Sequence, residues 1–214
     1  MSTLRINEIY LSLQGESTFA GLPCVFVRTT GCPLRCVWCD TEYAFHEGET
    51  MTLDDVVAKV LSFGVDLVEI TGGEPLAQKN VLPLMTRLCD AGKTVLLETA
   101  GSHDIAPVDG RVRVIMDIKC PDSGEEDRNR WENIEQLKAK DEVKFVLASR
   151  RDYDFARDVI ARYDLASRCT ILLSAVFDKL DRRELAAWVI ADKLPVRFQL
   201  QMHKFIWPPD ARGV

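Results

Sequence analysis

Cys32, Cys36 and Cys39 stand at C-x3-C-x2-C spacing in the stretch "TTGCPLRCVWCDTEY", residues 29 to 43. Three thiolates so close together let one loop wrap a single metal centre. A tetrahedral zinc site would need a fourth ligand, for which Cys24, Cys120, Asp40 or His46 are available. Zinc loops, however, usually carry two C-x2-C pairs or cysteine and histidine pairs, and no second pair occurs in this chain. A cubane iron–sulfur cluster suits the count better, because three cysteines hold three irons and leave the fourth to an exogenous ligand. A second feature, "TGGEP" at 71–75, reads at its plainest as a Gly-Gly turn closed by proline. Two adjacent glycines also let backbone approach a ligand closely.

Apolar, β-branched runs alternate with amphipathic ones around these motifs. Residues 23–29, 66–71, 94–99, 112–119, 143–149, 170–175 and 196–203 read as strands, nearly continuously apolar as in a parallel sheet buried on both faces. Helical spacing appears in "TLDDVVAKVLSFG", with Thr52 as N-cap and Gly64 as stop, and in "KNVLPLMTRLCDAG", which ends at Gly92. "DYDFARDVIARYDL" and "DRRELAAWVIADK" carry it too, whereas 104–111 and "PDSGEEDRNRWENIEQ" are too polar to assign. Strand, helix, strand in repetition implies right-handed crossovers and a parallel sheet or barrel, with the ligand site at the C-terminal strand edge. The unusual residues do cluster there: the cysteine loop, "TGGEP", "ETAGS", "DIKCP", "SAVFD" and "MHKF" each follow a strand.

The chain of 214 residues is expected to form one domain spanning 1–214, with a core that needs no disulfide staples. A net charge of −6 argues against a general electrostatic grip on nucleic acid. No apolar stretch is long enough to span a bilayer and no signal-peptide pattern opens the sequence, so seven cysteines point to the reducing cytoplasm. Cys24, Cys89, Cys120 and Cys169 lie in apolar segments and read as small core residues.

C-x3-C-x2-C with an aromatic residue, Trp38, before the last cysteine resembles the signature of radical S-adenosylmethionine enzymes. The resemblance implies a [4Fe–4S] cluster on the three cysteines whose fourth iron is chelated by S-adenosylmethionine. It implies a partial (β/α) barrel, reduced in helices and mostly parallel. It carries the cosubstrate site onto Trp38, Asp40, Gly73 and Glu74, onto Asp117, Ile118 and Lys119, and onto Ser174, Ala175 and Val176. Asp117 with Lys119 reads equally as a strand-end ion pair, and Ser174 as a core hydroxyl.

"EIYLSLQGEST", "FVRTTGC", "CDTEY" and the late "LQMHKF" together resemble the 7-carboxy-7-deazaguanine synthase family over essentially the whole chain. That resemblance implies a 5′-deoxyadenosyl radical acting on 6-carboxy-5,6,7,8-tetrahydropterin, ring contraction with loss of ammonia, and assistance from Mg²⁺. It implies that Leu13, Gln14, Gly15 and Glu16 read the pterin edge, that Arg28 holds its carboxylate, and that Thr71, His203, Lys204 and Pro209 complete the substrate site. Thr41 takes the Mg²⁺ position. Chemically, an amide and a carboxylate suit a donor–acceptor edge, a guanidinium fork suits a carboxylate, and an oxygen donor suits a hard cation. Each has an ordinary rival: "LQGE" as a turn, Arg28 as a surface charge, Asp40 or Thr41 as a helix cap. A flavodoxin- or ferredoxin-type electron donor and a homodimer are further implications, with no nucleic-acid or membrane partner. The alternative is an activase of glycyl radical enzymes, which shares the cysteine spacing but leaves "LQGE" and Arg28 without work.

Overall fold

The computed structural model describes residues 2–214. Among the described residues nine strands form one sheet: β1 (Thr3–Leu13), β2 (Pro23–Thr29), β3 (Glu49–Thr52), β4 (Leu67–Gly72), β5 (Thr94–Thr99), β6 (Arg113–Asp117), β7 (Glu142–Leu147), β8 (Thr170–Ala175) and β9 (Arg197–Phe198). Their order is β3-β1-β2-β4-β5-β6-β7-β8-β9. From β2 through β4 to β9 every pairing is parallel, while β1 pairs antiparallel with both β2 and β3. No pairing among the described residues joins β3 to β9, so the sheet stays open as a partial barrel.

The helices are α1 (Leu53–Ser62), α2 (Val81–Asp90), α3 (Arg150–Arg162), α4 (Leu165–Arg168), α5 (Arg182–Asp192) and α6 (His203–Ile206). Thr52 caps α1 by accepting the Asp55 amide at 3.1 Å, and Gly64 and Gly92 follow α1 and α2 with positive φ, as the sequence predicts. The two unassigned polar stretches contain no α-helix: β5 joins β6 through an irregular loop, and β6 joins β7 through short 3₁₀ turns. The barrel is therefore poor in helices at its centre.

The edges differ from the sequence reading. β1 and β3 are strands not foreseen, because β1 is bulged: its register against β2 shifts between Ile6 and Glu8. A bulge breaks the two-residue alternation by which a half-buried strand is recognised. At the other edge, only Arg197–Phe198 of the expected strand 196–203 pairs with β8, and His203 opens a helical turn instead.

One face of the sheet packs on the helices through the main core, with Ile70, Leu97, Val143, Phe145 and Leu173 fully enclosed. The other face begins with a smaller apolar layer of Phe26, Leu67, Leu96, Ile115 and Leu172. Two residues further along each strand the side chain returns to that face. Those positions are Arg28, Glu69, Glu98, Asp117 and Ser174. An apolar floor thus supports a polar, mostly charged layer toward the C-terminal strand ends.

Candidate active site

A cavity of about 510 Å³ opens above that floor. Cys32, Cys36 and Cys39 line it as free thiols. Burial raises the proton affinity of all three, with Cys36 pushed up to about 11, so at neutral pH a metal centre must displace their protons on binding. Among the described residues no three Cys, His, Asp or Glu side chains converge tightly enough for a single ion. A zinc ion would draw its sulfurs to about 3.8 Å from one another at Zn–S bonds near 2.3 Å, whereas a cubane spreads three thiolates over three separate irons. The donor set fits a cluster.

The glycines of "TGGEP" bring the end of β4 onto the cysteine loop. The Gly73 amide donates to the Thr29 carbonyl at 3.1 Å and the Glu74 amide to the Gly31 carbonyl at 2.8 Å. Gly72, at φ +149°, would drive a Cβ into Thr29. Glu74 is completely buried and accepts from Leu76 N at 2.9 Å, from the Thr99 hydroxyl at 2.9 Å and from Ala100 N at 2.6 Å. Its carboxylate is a rivet between the ends of β4 and β5, and it does not line the cavity.

Asp117, Ile118, Lys119 and Val176 line the cavity beside the cysteines, with Trp38, Asp40 and Gly73. Asp117 Oδ2 accepts from Lys119 Nζ at 2.6 Å, while its Oδ1 is buried with no hydrogen-bond partner. That oxygen lies 3.7 Å from the Lys144 ammonium, beyond hydrogen-bond reach, and a buried carboxylate oxygen so placed calls for a donor. The Ser174 hydroxyl is likewise buried and unpartnered, although neither it nor Ala175 lines the cavity.

The substrate-side residues share this cavity: Leu13, Gln14, Gly15, Glu16, Arg28, Thr71, His203, Lys204 and Pro209 all line it. The bulge in β1 places Glu8 opposite Arg28, so Arg28 Nε donates to Glu8 Oε1 at 2.7 Å and its terminal nitrogen donates to Tyr10 Oη at 2.9 Å. Glu8 Oε1 also accepts from Tyr43 Oη at 2.9 Å. Arg28 is therefore no loose surface charge: it is held at one edge, and its cavity-facing side is left to a ligand. Burial is the chief cause that raises the Tyr10 phenol to about 12, which keeps it a hydrogen-bonding hydroxyl.

Gln14 Nε2 donates to Glu69, and its Oε1 accepts the Glu16 amide at 3.0 Å. Glu16 in turn accepts from Lys144 at 3.1 Å and from Gln201 at 3.1 Å. The Gly15 carbonyl accepts the Met202 amide at 2.9 Å, which docks the α6 turn on this loop. His203 lies so close that a Cβ on Gly15 would overlap its Nδ1. Lys204 Nζ reaches Asp40 Oδ2 at 2.6 Å, and the Thr41 hydroxyl donates to Asp40 Oδ1 at 2.9 Å. Thr41 precedes a 3₁₀ turn (Glu42–Phe45) without capping it by its side chain, so its oxygen serves no cap. Beyond α6 the tail folds over the mouth: Pro209, Asp210, Ala211, Gly213 and Val214 line the cavity, and Arg212 lies 3.8 Å from the Tyr43 ring centroid.

Three charged residues that the motifs did not single out complete the charged layer: Glu69, Glu98 and Lys144. Each interrupts an apolar strand, in "LVEIT", "LLET" and "VKFV". A charge at an inward position of a parallel strand is the signal that marks them. Burial, reinforced by the neighbouring Glu98, pushes the Glu69 carboxyl well above the ordinary carboxylate range. Burial alone would lower the Lys144 ammonium, but Asp117, Glu16 and Glu98 more than offset it and keep the cation charged.

Residues 26–122 match the radical SAM superfamily profile. The chain is 47% identical over 214 residues to 7-carboxy-7-deazaguanine synthase of Chlorobaculum tepidum, with 99% of this chain and 97% of that protein covered. It is 45% identical over 226 residues to the protein of the same name from Koribacter versatilis, with 99% and 100% covered. The crystal structure of QueE from Escherichia coli superposes with a TM-score of 0.78 at 26% identity, over 94% of this chain and 95% of that one.

Proposed function

We propose a reaction for this site on one premise: the chain belongs to the 7-carboxy-7-deazaguanine synthase family of the radical S-adenosylmethionine superfamily. It is a radical S-adenosylmethionine lyase that converts 6-carboxy-5,6,7,8-tetrahydropterin to 7-carboxy-7-deazaguanine with loss of ammonia. The observation that carries the reading is that one cavity collects the three thiols, Gly73, Asp117, Arg28 and the Gln14–Glu16 loop.

When bound at the thiols, a [4Fe–4S] cluster with S-adenosylmethionine supplies one-electron cleavage and the hydrogen abstraction that opens the reaction at pterin C6. The protein's part is placement. Arg28, fixed by Glu8 and Tyr10, presents its guanidinium to the substrate carboxylate and so orients C6. The backbone of Leu13 and Gly15, with Gln14 and Glu16, holds the pterin edge; Thr71, His203, Lys204 and Pro209 close around it. Gly72 and Gly73 hold the ligand-binding turn directly against the cysteine loop. The Asp117 carboxylate, which lines the cavity, is the acceptor for a cosubstrate hydroxyl. Ile118, Lys119, Trp38, Asp40 and Val176 form the surrounding wall, with Glu74, Ser174 and Ala175 supporting it from behind. Thr41, with Asp40 beside it, offers oxygen to a Mg²⁺ ion that would share its shell with substrate and water. The tail over the mouth limits water at the radical centre.

The reading further assigns residues 1–214 to one radical S-adenosylmethionine domain, a flavodoxin- or ferredoxin-type protein as electron source, a homodimeric state and a cytoplasmic setting. Among the described residues no helix is long and apolar enough to cross a membrane. The test is anaerobic incubation of cluster-loaded protein with S-adenosylmethionine, reductant and carboxytetrahydropterin. Carboxydeazaguanine by mass spectrometry is the expected product, and deoxyadenosine release with an unchanged pterin would refute the substrate assignment.

A further inference from the structure

Lys144 lies midway along β7 with its side chain only 6% exposed, and its ammonium meets carboxylates from three separate parts of the site. Glu16 Oε2, on the loop after β1, is 3.1 Å away. Glu98, on β5, accepts a hydrogen bond from it. Asp117 Oδ1, on β6, is 3.7 Å away, and it is the same oxygen that has no hydrogen-bond partner. The backbone reinforces the link, since Asp117 pairs with Lys144 across the ladder and the Lys144 carbonyl accepts the Ile118 amide at 2.9 Å. The ammonium has three N–H donors, yet it serves the three carboxylates unequally: Glu16 and Glu98 accept hydrogen bonds from it, whereas Asp117 Oδ1 does not. Its position is a compromise set by how strongly each carboxylate is engaged elsewhere.

We propose that Lys144 is a positioning residue that couples occupancy of the pterin subsite to that of the S-adenosylmethionine subsite, through Glu16 on one side and Asp117 on the other. The inference rests on the substrate and cosubstrate assignments made above and adds to them an energetic link. A pterin amino group donating to Glu16 takes over part of what Lys144 supplies there. The ammonium is then free to settle on Glu98 and on Asp117 Oδ1, which fixes the Asp117 carboxylate in the wall of the cosubstrate subsite. The converse holds when the cosubstrate binds first, because coupling between two equilibria is reciprocal. Lys119, which also bonds Asp117, touches neither Glu16 nor Glu98 and cannot carry this link.

The test measures binding without turnover. Cluster-loaded enzyme is kept anaerobic with no reductant, and the Kd for S-adenosylmethionine is measured by calorimetry with and without carboxytetrahydropterin, then the pterin Kd with and without S-adenosylmethionine. In the native protein each ligand is expected to tighten the other by the same factor, about fivefold or more. In Lys144→Met that factor falls to about one, while far-ultraviolet circular dichroism is unchanged. Because three carboxylates without a cation could unfold the protein, the double variant Lys144→Met with Glu98→Gln removes one of them and is expected to show the same loss of coupling. A factor near one in the native enzyme overturns the inference, as does native-like coupling in either folded variant. Failure of the native enzyme to bind the pterin at all would instead overturn the substrate reading.

Discussion

Gly73 rests against Gly31: the Glu74 amide bonds the Gly31 carbonyl at 2.8 Å, and a Cβ on Gly73 would overlap that carbonyl and stand 3.0 Å from the Cys32 amide nitrogen. The turn after β4 and the loop that carries the cysteines are thus a single packed unit. Gly73→Ala should push them apart at a stability cost of about 2 kcal/mol, the scale of overpacking in an interior. Iron content after reconstitution should fall with it. Full iron loading and an unchanged urea midpoint would show that the contact does not set the loop.

The thiols make a second prediction. Anaerobic reconstitution should yield about four irons and four sulfides per chain with the broad visible absorption of a [4Fe–4S] cluster. Cys36→Ala should abolish that absorption, whereas Cys120→Ala should not, although Cys120 also lines the cavity. One tightly held zinc and no iron would defeat the cluster reading.

Arg28 and Glu8 test how the carboxylate is held. Arg28→Lys keeps the charge but loses the planar fork, so KM for the carboxylated pterin should rise by about tenfold or more, the worth of one charge-assisted hydrogen bond. Glu8→Gln keeps the shape of the Arg28 partner and removes its charge, so a smaller rise is expected, with kcat little changed. Equal KM values for native enzyme and Arg28→Lys would remove Arg28 from the site.

His203 gives the protein a pH dependence of known sign. Burial lowers the basicity of its imidazole more than Glu16 and Asp40 raise it. A group whose folded pKa is depressed favours folding above its unfolded pKa, near 6.5, and that contribution is lost as pH falls through the folded value. The urea midpoint should therefore drop between about pH 7.5 and pH 5.5, and the drop should be smaller in His203→Asn. An identical decline in both proteins would assign it to other groups.

The cysteine loop, "TGGEP" and the cap signals Thr52, Gly64 and Gly92 are local: spacing, backbone freedom and capping act within a few residues, so they read directly. β1 was illegible because its bulge disrupts the alternation that marks a strand, yet the bulge is what sets Glu8 against Arg28. The run 196–203 reads as a strand by its residues. After Phe198, however, the Gly15 carbonyl takes the Met202 amide, and the chain turns into α6.

The sequence by itself determined the donor set and its chemistry, because three thiols at fixed spacing limit what metal centre they can hold wherever the loop lies. It also placed most of the site at strand ends, because parallel strands send their loops to one edge. Only the tertiary structure decided the charged layer. Glu69, Glu98 and Lys144 lie on three different strands, and Lys144 is 46 residues from Glu98 and 128 from Glu16. Their mutual effects depend on distance and burial in space, and no sequence separation encodes either quantity.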